Sequence, residues 1–163
     1  MQKTAFKPPV KQLIDGVVVT PLKPIVDERG YLMEMLRSDA PDFKGFGQTY
    51  LTAVNEGVVK GWHYHERQTD NFICVHGLIK LALYDCREGS PTQGAVNEFF
   101  LGPIHPVRVQ IPCGVLHGFK GLGSPISLVV NVPDQLYHYA QPDEFRVAPH
   151  DNEVPYDWAR HDG

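Results

Sequence analysis

Long apolar runs are missing from this 163-residue chain. None approaches the roughly 20 consecutive apolar residues that a membrane-crossing helix needs, which leads to the expectation of a soluble protein. Cysteine is scarce: Cys74, Cys86 and Cys113 are an odd number without close pairing, which argues against a disulfide framework and for a reduced, cytoplasmic protein. The stretch from Met1 to Leu13 carries Lys and Pro in place of the apolar core of a secretory leader. Charge of one sign is not concentrated anywhere. With 15 basic and 19 acidic residues and a net charge of -4, the chain has no basic run that would follow a phosphate backbone or an anionic membrane. Nucleic acid and membrane are therefore not expected partners. Helical periodicity is also scarce, and only Ser38–Phe43 and Pro133–Pro142 suggest one or two short helices.

What is present points to strands. The 15 Gly and 14 Pro are spread along the chain at short intervals instead of pooling in a linker, as expected for many short strands joined by turns. Val107, Val109 and Ile111 alternate with Arg108 and Gln110, the period of a half-buried strand. Further apolar runs cover Val17–Thr20, Tyr31–Leu36, Tyr50–Val54, Phe72–Tyr84 and Ile126–Val132. The expectation is one all-β domain over residues 1–163, long enough to bury about two thirds of its unfolded surface. A closed or sandwiched antiparallel barrel would remove exposed strand edges. The C-terminal aromatics Tyr156 and Trp158 are expected to pack across that barrel or a partner.

Two clusters carry chemistry. Gly57, His63, His65, Asp70 and Gly77 spell G-x5-H-x-H-x4-D-x6-G, and Pro112, Gly114 and His117 spell P-x-G-x2-H. The pair resembles the two-part signature of a cupin (jelly-roll) barrel, with Asp70 where Glu is commoner. On an extended strand alternate residues share a face, so His63 and His65 look the same way and His117 can join them from a neighbouring strand. A lone H-x-H in a chain with eight histidines is usually surface decoration; both halves together, with their turn-forming glycines, are far less expected by chance. His63, His65, Asp70 and His117 could hold a divalent metal such as Zn, Fe, Mn or Ni. The same groups could instead work without one, a neutral His beside a carboxylate being a general base.

The order Asp27-Glu28-Arg29-Gly30-Tyr31, Phe46-Gly47-Gln48, Lys60-Gly61-Trp62-His63-Tyr64, Asp85-Cys86-Arg87-Glu88-Gly89-Ser90-Pro91-Thr92 and Ile111-Pro112-Cys113-Gly114-Val115-Leu116-His117-Gly118-Phe119 resembles the deoxythymidine-diphosphate 4-dehydrorhamnose 3,5-epimerase family, a branch of the cupins. The resemblance covers roughly residues 15 to 130. It implies a homodimeric barrel that binds a nucleotide-linked 4-keto-6-deoxy sugar, requires no cofactor, and inverts C3, C5 or both through an enolate. It places His63 on the catalytic base, Arg29 on a nucleotide contact and Gln48 in the substrate pocket. Lys60 stands where Arg is usual, keeping positive charge without the bidentate fork. Arg29, Gln48, Lys60 and His117 are thus the substrate-binding candidates.

The departures bear on mechanism. Asp70 occupies the place of a family lysine, Val130 that of a catalytic tyrosine, and His65 that of a glutamine. A family Leu-Ser-x-Lys-Asp segment is not found before Gly163. Asp70 or Asp85 could pair with His63, and Tyr137 or Tyr139 could supply a phenol. Two rival readings stay open: a metal-dependent cupin, either oxygenase or isomerase, and a non-catalytic sugar-nucleotide binding protein.

Overall fold

A computed structural model describes residues 12–123 and 125–162. Its strands are β1 (Val18–Pro21), β2 (Ile25–Asp27), β3 (Gly30–Leu32), β4 (Tyr50–Asn55), β5 (Val59–Tyr64), β6 (Asp70–His76), β7 (Ile79–Tyr84), β8 (Val96–Leu101), β9 (Val107–Ile111), β10 (Leu116–Gly121), β11 (Ile126–Asn131) and β12 (Phe145–Arg146). Two five-stranded sheets form, ordered β1-β9-β6-β11-β4 and β12-β5-β10-β7-β8, with β2 and β3 as a separate hairpin. Every ladder between these strands is antiparallel, the pattern of a jelly-roll sandwich.

The core sits between the sheets. Inward residues of β7 (Ile79, Leu81, Leu83) meet Phe72, Cys74, Val109, Val129 and Phe119. Lys80 and Ala82, on the other face of β7, are buried as well because the C-terminal segment lies over them. Trp158 packs on Trp62 with ring centroids 4.9 Å apart, and its carbonyl accepts from Lys80 Nζ at 3.3 Å and Lys120 Nζ at 2.9 Å. The apolar run Phe72–Tyr84 is cut in two at Gly77, whose φ of +74° favours glycine. A Cβ there would lie 2.4 Å from Ser127 Oγ.

Two expectations change. Among the described residues there is no helix. In the first expected stretch only isolated turn bonds form, such as Phe43 N–H to Ala40 O at 3.0 Å. In the second, Pro133 O accepts from Gly47 N–H at 2.9 Å and Asp134 N–H donates to Thr69 O at 3.2 Å, so its backbone is committed to neighbouring segments. Second, β9 is buried on both faces, not half-buried. The loop before β4 covers its polar side: Arg108 donates to Asp42 Oδ2 at 2.5 Å, Asn71 Oδ1 at 2.9 Å and Thr20 Oγ1 at 2.9 Å. Removing one partner of a buried ion pair leaves the other's charge uncompensated. Asp42→Ala should therefore lower the unfolding free energy by about 2–4 kcal/mol in urea titrations; an unchanged midpoint would show that the pair does not anchor this loop.

Candidate active site

One end of the sandwich opens into a cavity of about 890 Å³, within the usual range for a small-molecule site. Its walls come from both sheets. On β4 the even-numbered residues Tyr50, Thr52 and Val54 face inward, Val54 into the core and the first two into the cavity. On β5, Lys60 and His63 line the opposite wall, and Lys60 Nζ donates to Thr52 Oγ1 at 3.0 Å where the walls converge. β5 and β10 approach closely because two glycines face each other: a Cβ on Gly61 would lie 2.7 Å from Gly118 Cα. That contact adjoins the cross-strand pair His63 and His117, whose rings are 4.1 Å apart.

The histidines converge on one buried carboxylate. Asp70 Oδ2 lies 3.1 Å from His117 Nε2 and 3.3 Å from His65 Nε2. Asp70 Oδ1 accepts from Gln68 Nε2 and Asn131 Nδ2, both at 2.8 Å. One donor atom from each of His63, His65, Asp70 and His117 lies within 4.8 Å of the others. His65 joins the group from just beyond the end of β5, so the alternation on an extended strand is not what places it.

The protonation states follow from these neighbours. Burial, reinforced by the His117 ring, pushes His63 well below its usual range and keeps it neutral, with Asp70 opposing in part. His65 is also penalised by burial, yet the Asp70 carboxylate outweighs this and raises it. Burial would raise Asp70, but His117 and His65 hold it far below the ordinary carboxylate range.

Tyr50 was not among the residues singled out by sequence. Its hydroxyl accepts from Asn131 Nδ2 at 2.9 Å. Asn131 has no freedom to turn its amide around, since its Oδ1 accepts from Asn71 N–H at 2.9 Å. The phenolic proton is therefore not used in that bond. Burial and the nearby Asp70 charge push Tyr50 up to about 12, which keeps it protonated at neutral pH. The signal was the Gln48-x-Tyr50 alternation, which puts both side chains on one cavity wall; Glu144, just before β12, and Arg146, within it, line the cavity too.

Other expected residues divide clearly. Gln48, Lys60, Tyr137 and Tyr139 line the cavity, although Tyr139 stands at the mouth, 90% exposed. Asp85 does not pair with His63. It is buried in its own loop, where its carboxylate takes Arg87 Nε at 2.8 Å, Ser90 Oγ at 2.6 Å and Thr92 Oγ1 at 2.6 Å. Burial would raise it, but these donors hold it low. Arg29 lies outside its own chain's cavity, on the β2–β3 hairpin turn, bound to Asp27. Val130 pairs with Leu51 on β4, and it is the neighbouring Asn131 that reaches Tyr50 and Asp70.

An all-β sandwich whose open end gathers histidines on a carboxylate is a cupin-type barrel, here with a cavity of enzyme-site dimensions. The sequence profile of the dTDP-4-dehydrorhamnose 3,5-epimerase family matches residues 11–162, and the chain belongs to that family of sugar-nucleotide epimerases. It is 41% identical over 147 residues to the probable low-salt glycan biosynthesis epimerase Agl13 of Haloferax volcanii, spanning 89% of this chain and 94% of that one. It is 35% identical over 146 residues to the spore coat polysaccharide biosynthesis protein SpsL of Bacillus subtilis, spanning 90% and 97%. A solved dTDP sugar isomerase from Desulfovibrio desulfuricans superposes with a TM-score of 0.85 at 33% identity, over 91% of this chain and 94% of that chain.

The neutral His63 has a direct signature. Its folded value lies below that of a free imidazole, near 6.5. As pH falls below 6.5 the unfolded chain takes up the proton first, so this group removes stability over that interval and removes none above it. In chelator-treated protein, NMR of the His63 ring should show the neutral form unchanged through pH 6.5. A midpoint at or above 6.5 would contradict the assigned environment.

Proposed function

We propose that this enzyme inverts a carbon next to the ketone of a nucleoside-diphosphate 4-keto-6-deoxy sugar, with His63 as base and Tyr50 as the acid on the opposite face. The observation that carries this reading is the pairing of a neutral imidazole on β5 with a protonated phenol on β4, across one cavity. A ketone at C4 acidifies the hydrogens on C3 and C5. His63 takes one of these as a proton and the electron pair passes into the enolate. Return of a proton from Tyr50 to the other face inverts the centre, after which solvent reprotonates the phenolate and takes the proton from His63. Lys60 and Arg146, both on the cavity wall, suit the diphosphate, and Gln48 suits the sugar. None of these steps requires a cofactor. Tyr50 takes the place of Tyr137 and Tyr139 as the favoured phenol because its hydroxyl is oriented by Asn131.

We also read the chain as one domain acting in the cytoplasm as a homodimer. Its three cysteines are free, which suits a reducing compartment. No helix among the described residues is long and apolar enough to cross a membrane. The β2–β3 hairpin exposes Ile25, Val26, Tyr31 and Leu32 around Arg29, a surface suited to a second copy. A dimer would also give Arg29 a route to a nucleotide.

The two catalytic assignments separate in deuterium oxide. His63→Ala should lose both solvent exchange and inversion by about 10²–10⁴-fold. Tyr50→Phe should keep exchange, with retention, while inversion falls by about 10²-fold. Exchange surviving in His63→Ala would remove His63 as base; unchanged inversion in Tyr50→Phe would remove Tyr50 alone.

A further inference from the structure

The arrangement around Asp70 contains more acceptors than donors. His117 Nδ1 lies 2.9 Å from Val115 O, and His65 Nδ1 faces Asp143 O. A carbonyl only accepts, so Nδ1 of each ring carries a proton, and whenever the ring is neutral its Nε2 presents a lone pair. Both Nε2 atoms turn toward Asp70 Oδ2, at 3.1 and 3.3 Å. The two donors to Asp70, Gln68 and Asn131, serve the other oxygen, Oδ1. Asp70 Oδ2 and His117 Nε2 are fully buried and have no hydrogen-bond partner. Although close, they are not aligned for an N–H···O bond, so a proton on His117 would not satisfy the pair. Gln68 Nε2 offers one long contact to His65 Nε2, at 3.2 Å.

Unpaired buried lone pairs are costly, and native structures seldom leave them so. Two of them here, with His65 Nε2 turned to the same carboxylate oxygen, make a donor set that a cation would satisfy. We propose that His65, Asp70 and His117 hold a divalent first-row transition ion through Nε2, Oδ2 and Nε2. The spacing fits: N and O donors about 2.0–2.1 Å from a tetrahedral ion stand roughly 3.3 Å apart. The surroundings fit as well. Each imidazole gives its remaining N–H to a carbonyl and the carboxylate is held by two amides, the outer contacts that orient metal ligands. Imidazole and carboxylate together suit Zn, Fe, Mn or Ni. Bound there, the ion would supply a Lewis acid behind the cavity wall that His63 and His65 form. The site stands on donor geometry alone and does not depend on the epimerase reading; His63, within 4.8 Å of the same atoms, is the one further donor available.

The test uses the full chain freed of metal by a chelator. Zn(II) is titrated by calorimetry, Co(II) by visible absorption, and thermal melting is followed with and without each ion. The wild type should take up one equivalent per chain, develop the visible bands of Co(II) bound to nitrogen and oxygen, and melt several degrees higher in excess metal. His65→Gln and Asp70→Asn should each weaken uptake at least tenfold. Far-UV circular dichroism confirms that the variants are folded; if Asp70→Asn is not, His65→Gln, at the cavity wall, carries the comparison. Folded wild type that takes up no saturable equivalent would overturn the proposal, as would uptake unchanged by His65→Gln.

Discussion

Asp70 is the constraint on which the site depends. A carboxylate removed from water needs compensation on both oxygens, and here the two have different partners. Oδ1 is held by Gln68, whose backbone N–H donates to Asp143 Oδ2, and by Asn131, whose Oδ1 accepts from Asn71 N–H on β6. Oδ2 gathers His65 and His117. Because His117 is the cross-strand neighbour of His63, and Asn131 is that of Tyr50, both groups assigned to the reaction stand one contact from this carboxylate's partners. Replacing Asp70 would therefore disturb the proposed base, acid and cation site together, and it is the poorest single position from which to separate them.

The sandwich explains why His63 and Tyr50 can line one cavity from different sheets. Period-two alternation turns Tyr50 and Thr52 inward from one sheet, and on the other a register shift between β5 and β10 accompanies the placing of both Lys60 and His63, three residues apart, on the cavity. The two walls are pinned where Lys60 meets Thr52 and diverge toward the open end, while the core of Leu81, Leu83, Phe72 and Phe119 closes the space on the other side. Preorganisation of this kind costs no reorganisation during reaction, since sheet registers and the Gly61–Gly118 contact set the positions before a ligand arrives.

Much of this was legible in the sequence, for identifiable reasons. His63, His65, Asp70 and His117 were readable because ligating residue types recur at spacings that turns and strands bring together. The all-β class was readable from Gly and Pro scattered between short apolar runs. Tyr50 was not, because its role arises from the β4–β11 register that sets it opposite Asn131, a non-local pairing with no local mark. Asp85 looked eligible as a conspicuous acid, yet three donors within seven residues of it, Arg87, Ser90 and Thr92, consume its carboxylate locally. The helix expected at Pro133–Pro142 did not form because its backbone groups bond to other segments, Ser38–Phe43 keeps only isolated turn bonds, and alternation on β9 could not reveal that a loop would cover its polar face.

The central claim is that the reaction passes through a carbanion stabilised by a neighbouring ketone. Its most direct test is NMR of the wild-type enzyme in deuterium oxide with a nucleoside-diphosphate 4-keto-6-deoxy sugar, and in parallel with the matching 4-hydroxy sugar. The account predicts deuterium at a carbon flanking the ketone, accompanied by inversion there, and no change in the 4-hydroxy compound. Inversion without solvent label, or labelling of the 4-hydroxy sugar, would contradict it.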